Sequence, residues 1–330
     1  MSAPVAINAR AAVRREIGGV ERLAREMAAR LPRLDPERYE VIRPPEALAH
    51  RAGHAWEQAA LPVLARKAHL IYSPANLAPL ASRRNVVVIH DVAALRHPKW
   101  YRPAYVRYQR ALLPAIAKRA KHVITVSEFS RYELAEVLQA TNVTVIPNGV
   151  DERFTPDAKP TREGPYVLAV GTQIARKNLQ VLGEAARRLN EHGIELIHAG
   201  SGRGYMRAES ATNLRSLGYV PEDELPGLYA GALALAMPSL YEGFGLPCLE
   251  AMACGTPVVA SNAGALPETC GDAAILVDPH DATGFADALE RIATDEDERR
   301  RLGERGRARA ADFTWQKSAQ LTDQLLGNLL

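Results

Sequence analysis

The sequence predicts an α/β fold of parallel strands in two domains, and three observations carry that expectation. Short runs of Val, Ile, Leu and Ala, of the kind found in strands buried on both faces, alternate with stretches of helical spacing. The segment 238–261, PSLYEGFGLPCLEAMACGTPVVAS, follows one such run and reads as loop, short helix and second strand, the unit of a parallel sheet. The chain has 330 residues, more than one average domain, and its 47% apolar content allows a full core in each of two domains of about 150 residues.

Val5–Asn8 is the first candidate strand; a loop then reaches Gly18 and Gly19, and Val20–Leu31 has apolar positions at helical spacing. Two glycines ahead of a helix let the backbone approach a phosphate closely, although a glycine pair alone also suits an ordinary loop. Residues 34–65 have no clear pattern, with a break at Pro44-Pro45. Ala68–Ser73 reads as a strand. Val86–Ile89, four β-branched residues in a row, is a firmer one and ends at His90-Asp91 on its carboxyl edge. Residues 98–108 interleave Trp100, Tyr101, Tyr105 and Tyr108 with cations, which suits an acceptor-gripping or membrane-interface surface as well as plain packing. Val123–Val126 is a strand, Ser127 opens a capped helix, and Val143–Ile146 ends at a tight turn from Pro147 to Asp151.

The second half opens on the strand Tyr166–Val170. Gly171 follows, then Arg176 and Lys177 ahead of a helix expected from Leu179: backbone N–H groups and two point charges suited to an anion. Ile194–Ala199 is a strand leading to GSGRG at 200–204, a weak dinucleotide signal because the ribose-binding acid is not in place. In the central segment, Ala232–Met237 is a strand, Pro247 suits a first helical residue, the helix covers Leu246–Cys254, and Val258–Ser261 is the next strand. A turn at 264–268, a helix from Ala282, an acidic helix start at Asp295-Glu296-Asp297 and an amphipathic tail from Ser318 to Leu330 complete the chain.

Glu242 lies in the loop beyond the strand and Glu250 one turn into the helix, both at the edge where open α/β sheets bind ligands. The helix N-terminus favours an anion such as a diphosphate, whereas carboxylates accept hydrogen bonds from neutral ribose or sugar hydroxyls. A sugar nucleotide has both parts. Taken singly, Glu250 is equally a dipole-favoured first-turn acid and Glu242 a solvated loop residue; with the glycines and Pro247 in register the paired reading is favoured.

Net charge is +3, but residues 1–150 hold 23 Lys and Arg against 12 Asp and Glu, and the remainder 18 against 26. The basic half suits an anionic acceptor or an anionic membrane surface, or is simply solvated. Nucleic acid is not expected, since no recognition module is present and aromatics make up 6%. No apolar run is long enough to span a bilayer and the N-terminus has no signal-peptide pattern, so a cytoplasmic location is expected, with peripheral contact at the inner face of the cell membrane. Cys248, Cys254 and Cys270 suit reduced, buried thiols; no metal ligand set is expected.

The segment from Pro238 resembles the E-x7-E signature of the retaining glycosyltransferases of the GT-B fold, the group that includes glycogen synthase and bacterial lipopolysaccharide and mannosyl transferases. The flanking PSLYEGFG and ACGTPVVAS, the VSEFS at 126–130 and the IPNGVD at 146–151 are similar too. The resemblance implies two Rossmann-like domains facing across a cleft: an acceptor-binding domain at 1–150, a nucleotide-sugar-binding domain at 151–312, and a helix at 313–330 crossing back. It implies that Glu242 contacts donor sugar hydroxyls, Glu250 the ribose, His90 the transferred sugar, and Lys177 the donor phosphates. Gly18-Gly19, Gly171 and the 243–246 loop (Gly243, Phe244, Gly245, Leu246) would lie along the donor, and Val220 and Leu225 at the base. The group commonly has an Arg after the glycine, where this chain has Thr172; Arg176 is the expected substitute. The implied activity is retaining, metal-independent transfer without a cofactor. GDP-mannose is the favoured donor and a UDP-sugar the alternative, and the acceptor is a glycan or lipid-linked glycan of a cell-surface polysaccharide. A nucleotide-sugar epimerase of the same fold and a non-catalytic binder are the other readings.

Overall fold

A computed structural model of the chain describes residues 4–14, 17–49, 52–200 and 214–330. The contacts divide it into two units, one of residues 1–96, 106–149 and 315–330, the other of residues 97–105 and 150–314. The division assigns the segment His97–Tyr105 to the second unit, and helix formation at the end begins at Trp315.

The first unit is built on strands β1 (Val5–Asn8), β2 (Tyr39–Ile42), β3 (Leu70–Ser73), β4 (Asn85–Val88), β5 (His122–Thr125) and β6 (Val143–Val145). All pair in parallel, in the order β2-β1-β3-β4-β5-β6. Its helices are α1 (Gly19–Leu34), α2 (Glu46–Ala49), α3 (Gly53–Leu64), α4 (Ala93–Arg96), α5 (Pro103–Arg119) and α6 (Glu128–Leu138). β1, β3, β4 and β5 are buried along their length, as expected of parallel strands covered on both faces. Ser127 caps α6, its hydroxyl accepting from the Ser130 N–H at 3.0 Å. β2 was not legible in the sequence: it is four residues long with Glu40 and Val41 outside the core, so it offers neither a continuous apolar run nor a clean alternation.

The second unit repeats the plan with β7 (Tyr166–Val170), β8 (Glu195–Ala199), β9 (Arg215–Gly218), β10 (Ala234–Met237), β11 (Val258–Ser261) and β12 (Ala274–Val277), parallel in the order β12-β11-β10-β7-β8-β9. Helices α7 (Gly183–Glu191), α8 (Leu225–Ala230), α9 (Leu246–Ala253), α10 (Leu266–Cys270), α11 (Ala282–Thr294) and α12 (Glu296–Ala310) connect them. The core joins Val167, Ala169, Ala234, Ala236 and Val259 from the strands to Leu182, Leu189, Phe285 and Leu289 from the helices. Strand order runs β7-β8-β9 in one direction and β10-β11-β12 in the other, so the connections diverge between β7 and β10. The crevice beyond the carboxyl ends of two such strands is where open α/β sheets hold ligands.

The last helix, α13 (Trp315–Leu329), belongs to the first unit, where Asp323 accepts from Arg38 and from the Tyr39 hydroxyl, each at 2.6 Å. Among the described residues, no helix is long and apolar enough to cross a membrane. The 201–204 part of the glycine-rich string after β8 lies outside the described residues.

Candidate functional site

At the divergence point of the second unit, the loop after β7 meets the loop after β10. Residues Ala175–Lys177 form one 3-10 turn, and Asn178 then takes a left-handed conformation with φ 51°. Its side-chain amide donates to the carbonyls of Pro238 at 3.1 Å and Pro279 at 2.6 Å, tying the loop to the end of β10. The α-helix expected from Leu179 is therefore delayed: residues 179–182 are 3-10 and α7 starts at Gly183. Its N–H groups do not open beside the cations as the sequence suggested, and the positive charge at this loop is that of the side chains.

Those side chains converge on Glu242. Lys177 Nζ lies 2.8 Å from Glu242 Oε1, and Arg176 Nη1 lies 3.1 Å from Oε2 while also donating to the Tyr241 carbonyl at 2.8 Å. Lys177 and Glu242 are only 7% and 8% exposed. Burial disfavours the charged carboxyl, but Arg176 and Lys177 outweigh it and hold Glu242 at about 2. The same burial lowers the Lys177 ammonium, with Glu242 opposing that change and Arg176 adding to it. Glu242 is thus firmly ionised, while the pair as a whole stabilises less than the carboxyl shift alone implies. Two cations thus share the Glu242 carboxylate.

Glycines set the backbone of this cluster. Gly171 has φ 146°, and a Cβ there would meet Lys177 Cε at 2.6 Å, so only glycine lets the lysine stem cross the loop. Gly264 lies against the main chain of Glu242, where a Cβ would come within 2.7 Å of its nitrogen, and the Ala265 N–H donates to the Glu242 carbonyl at 2.9 Å. Gly245, at φ 100°, is the residue before α9, and Pro247 falls in the first turn as expected. Phe244 is buried, its carbonyl accepting from the Thr269 hydroxyl at 2.5 Å, and Leu246 opens the helix. Glu250, 3% exposed, accepts from the Tyr229 hydroxyl at 2.8 Å.

The remaining predicted residues fall into two groups. Val220 and Leu225 lie in the same unit, both half-buried, at the loop before α8 and at its first residue. His90, Gly18 and Gly19 belong to the first unit. His90 is buried past the end of β4; its backbone N–H donates to Asn76 Oδ1 at 2.8 Å and its Nε2 stands 3.1 Å from the Pro74 carbonyl. A carbonyl only accepts, so Nε2 carries the proton. Burial lowers its pKa, against the pull of the Pro74 carbonyl and Asp91. Gly18 precedes α1 and donates its N–H to Glu21 Oε2 at 3.0 Å, and a Cβ on Gly19 would meet nothing within 4 Å.

Several supporting residues were not found from the sequence. Asn178 was, in retrospect, readable as an asparagine suited to a left-handed turn after the cations. His198, wholly buried, has its Nε2 at 2.6 Å from the Gly171 carbonyl and Nδ1 at 3.3 Å from Gln173; a histidine inside an apolar strand gave no sign of that. At the divergence point of the first sheet, Asn8 donates to Glu57 at 2.6 Å and Arg10 pairs with it at 3.1 Å, all three buried. Of the aromatic segment, His97 stacks on Trp100 with ring centroids 4.1 Å apart and meets Tyr241 edge-on at 5.6 Å, and Tyr101 is buried. The stretch is divided, residues 97–105 belonging to the second unit and 106–108 to the first, with Lys99, Arg102 and Arg107 exposed.

Residues 150–309 match the family described as Glycosyl transferases group 1, and residues 17–154 match Glycosyltransferase Family 4. The O-antigen chain mannosyltransferase B of Escherichia coli is 33% identical over 281 residues, 78% of this chain and 73% of the relative. The chain belongs to the glycosyl transferases group 1. This glycosyltransferase is also 32% identical over 249 residues to the MMP alpha-(1->4)-mannosyltransferase of Mycolicibacterium hassiacum; that match takes in 70% of the chain but 60% of the relative. Among solved structures, sucrose-phosphate synthase of Thermosynechococcus elongatus superposes with TM-score 0.78 at 23% identity, over 99% of both chains. Anabaena HepE, in complex with UDP and glucose, does so with TM-score 0.72 at 18% identity, over 98% of this chain and 99% of its own. At those identities the likeness is one of fold, which is GT-B.

Proposed function

We propose that this glycosyltransferase moves a sugar, with retention at its anomeric carbon and without a metal ion, from a nucleoside-diphosphate donor to a hydroxyl of a glycan or lipid-linked glycan. The observation that carries the reading is the largely buried Arg176–Lys177–Glu242 cluster at the divergence of β7 and β10, where two cations meet on one carboxylate. Negative charge develops on the leaving diphosphate, and two preset cations beside it stabilise that charge without rearranging. Glu242 fixes both cations and offers carboxylate oxygens to donor sugar hydroxyls. Glu250, one turn into α9, is the partner for ribose, with Tyr229 holding its other side. Gly171 and residues 243–246 line the donor, and Val220 and Leu225 the base.

Among the described residues no side chain has the setting of a covalent nucleophile, so departure and attack occur on one face, and the leaving phosphate accepts the acceptor proton. His90, neutral and held by Pro74, presents a fixed imidazole at the reactive edge of the first sheet, where the Asn8–Arg10–Glu57 group offers polar contacts to an acceptor. Both named relatives are mannosyltransferases, which favours GDP-mannose; one acts on O-antigen chains, which favours cell-surface polysaccharide. The test is calorimetry with GDP, UDP and ADP, followed by transfer from the matching sugar nucleotide with chelator present and NMR of the product anomer. GDP binding that disappears in Lys177→Ala, with an α-linked product from GDP-α-mannose, is the expected result. Binding of UDP in place of GDP transfers the reading to a UDP-sugar; an inverted anomer overturns retention.

A further inference from the structure

Seven cations of the first unit cluster at the edge of its sheet opposite to His90. Three turns leading into adjacent strands β3, β4 and β5 carry Arg66 and Lys67, Arg83 and Arg84, and Lys118, Arg119 and Lys121. The turns are knitted together: Arg84 Nη1 reaches the carbonyls of Ala65 and Arg66 at 3.3 Å each and also that of Ala68, Arg119 Nε donates to Leu80 O at 2.9 Å, and Lys121 N–H to Asn85 O at 2.8 Å. From Glu57 to Glu128 the only acidic residue is Asp91, which lies at the other edge, after β4. Among the described residues none of the seven has a carboxylate side chain within ion-pair distance. Lys121 bonds the Leu329 carbonyl of α13 instead. All but Arg84 are exposed.

Directly beside Arg66 and Lys67, the last turn of α3 turns two adjacent aliphatic side chains to solvent, Val63 at 60% and Leu64 at 51% exposure. Neighbouring large aliphatics at that exposure are unusual in a chain whose other apolar side chains are mostly buried.

We propose that this edge docks the protein on an anionic phospholipid surface, the cations lying among headgroups and Val63 and Leu64 entering the acyl boundary. The combination decides between polyanions. Nucleic acid calls for stacking aromatics or a groove-reading element, and this edge has no Phe, Tyr or Trp, His69 being its one exposed ring. Unpaired cations flanking exposed aliphatics complement a bilayer interface. Strands of four residues place the two edges of the sheet roughly 13 Å apart before loops are added, so docking here keeps the His90 edge off the headgroups. Resting on the glycan-acceptor reading above, this suits an acceptor whose growing end stands away from its lipid anchor.

The test is co-sedimentation of the full chain with vesicles of phosphatidylcholine alone and of phosphatidylcholine with phosphatidylglycerol, at low and high salt. Each cation near such a surface contributes about fivefold to partition. The triple variant Arg66→Gln, Lys67→Gln, Arg83→Gln is therefore expected to bind anionic vesicles roughly a hundredfold more weakly, and Val63→Ser with Leu64→Ser roughly a hundredfold more weakly as well. All these positions are exposed, so folding is retained, and GDP and UDP titrations of the same variants should match wild type, which separates this surface from the donor reading. Failure of folded wild type to bind phosphatidylglycerol vesicles overturns the proposal, as does equal binding by the triple variant. Tighter binding to a single-stranded oligonucleotide than to vesicles, indifferent to Val63 and Leu64, overturns it in favour of a nucleic-acid surface.

Discussion

Replacing Glu242 by Gln keeps the shape of the side chain and removes the one negative charge that lies between Lys177 and Arg176, at 2.8 and 3.1 Å. The cluster becomes more positive by one unit of charge. A unit charge about 6 Å from a bound phosphate, at an effective dielectric of about 20, is worth ~3 kcal/mol. A nucleoside diphosphate without its sugar should then bind roughly a hundredfold more tightly to Glu242→Gln than to wild type. Stability moves the other way, because breaking a buried ion pair from one side costs about 3–5 kcal/mol. For a unit of this size that lowers the melting temperature by on the order of 10 °C, and saturating nucleotide should recover part of it. Transfer itself should be lost with the carboxylate oxygens. Calorimetry gives the affinity and scanning calorimetry the stability. A folded Gln variant that binds GDP or UDP no more tightly than wild type would show that the diphosphate does not lie against this cluster.

The same carboxyl gives a pH test whose sign is fixed. Glu242 is held at about 2 in the folded protein against 4.5 otherwise. Its contribution, on the order of 3 kcal/mol, is fully present above the unfolded value and is lost as pH falls through the folded one. The stability gap between wild type and Glu242→Gln should be constant from pH 7 to about 5 and close toward pH 2, as urea unfolding at several pH values will read.

Three further outcomes are expected. Gly200→Ala places a Cβ 1.9 Å from the Gly171 carbonyl, at φ 147°; the main chain must move, and the variant should lose donor affinity and several degrees of melting temperature, visible in thermal shift with and without GDP or UDP. Tyr229→Phe removes a buried 2.8 Å hydrogen bond to Glu250 and should cost about 1–2 kcal/mol of stability and raise KM for the sugar nucleotide more than it lowers kcat. Burial holds the His90 pKa below that of a free histidine. Protonation costs stability as pH falls below the unfolded value, and NMR of its ring protons should show a midpoint at lower pH than that of an exposed histidine of the same protein.

The strands that carry the core were readable because a parallel strand covered on both faces must be apolar along its length, and β1, β7 and β11 occupy the predicted residues. Edge strands escape that rule. β9 has the sequence RSLG and exposes Arg215 and Ser216, with no pattern that separates it from a loop; β12, AILV, is half-buried up to the buried Val277. The capped helices were readable for the opposite reason, since Ser127 and Asp295 act on N–H groups three residues away and need no tertiary context. Asp295 thereby serves α12 as a cap.

The candidate site was legible as residue types but not as an assembly. Lys177 and Glu242 are 65 positions apart, and spacing along the chain cannot say that they touch. What brings them together is strand order: β10 pairs with β7 although two strands intervene in sequence, so the loops after them share one crevice. Once they do, composition decides the rest. A second carboxylate in place of Arg176 would leave the cluster negative and closed to phosphate, and an alanine at Gly171 or Gly264 would push Lys177 or Glu242 out of register. A site that tolerates so few changes at residues so far apart is what a preset charge receptor requires, because its cations must already be held at the distance the leaving group will need.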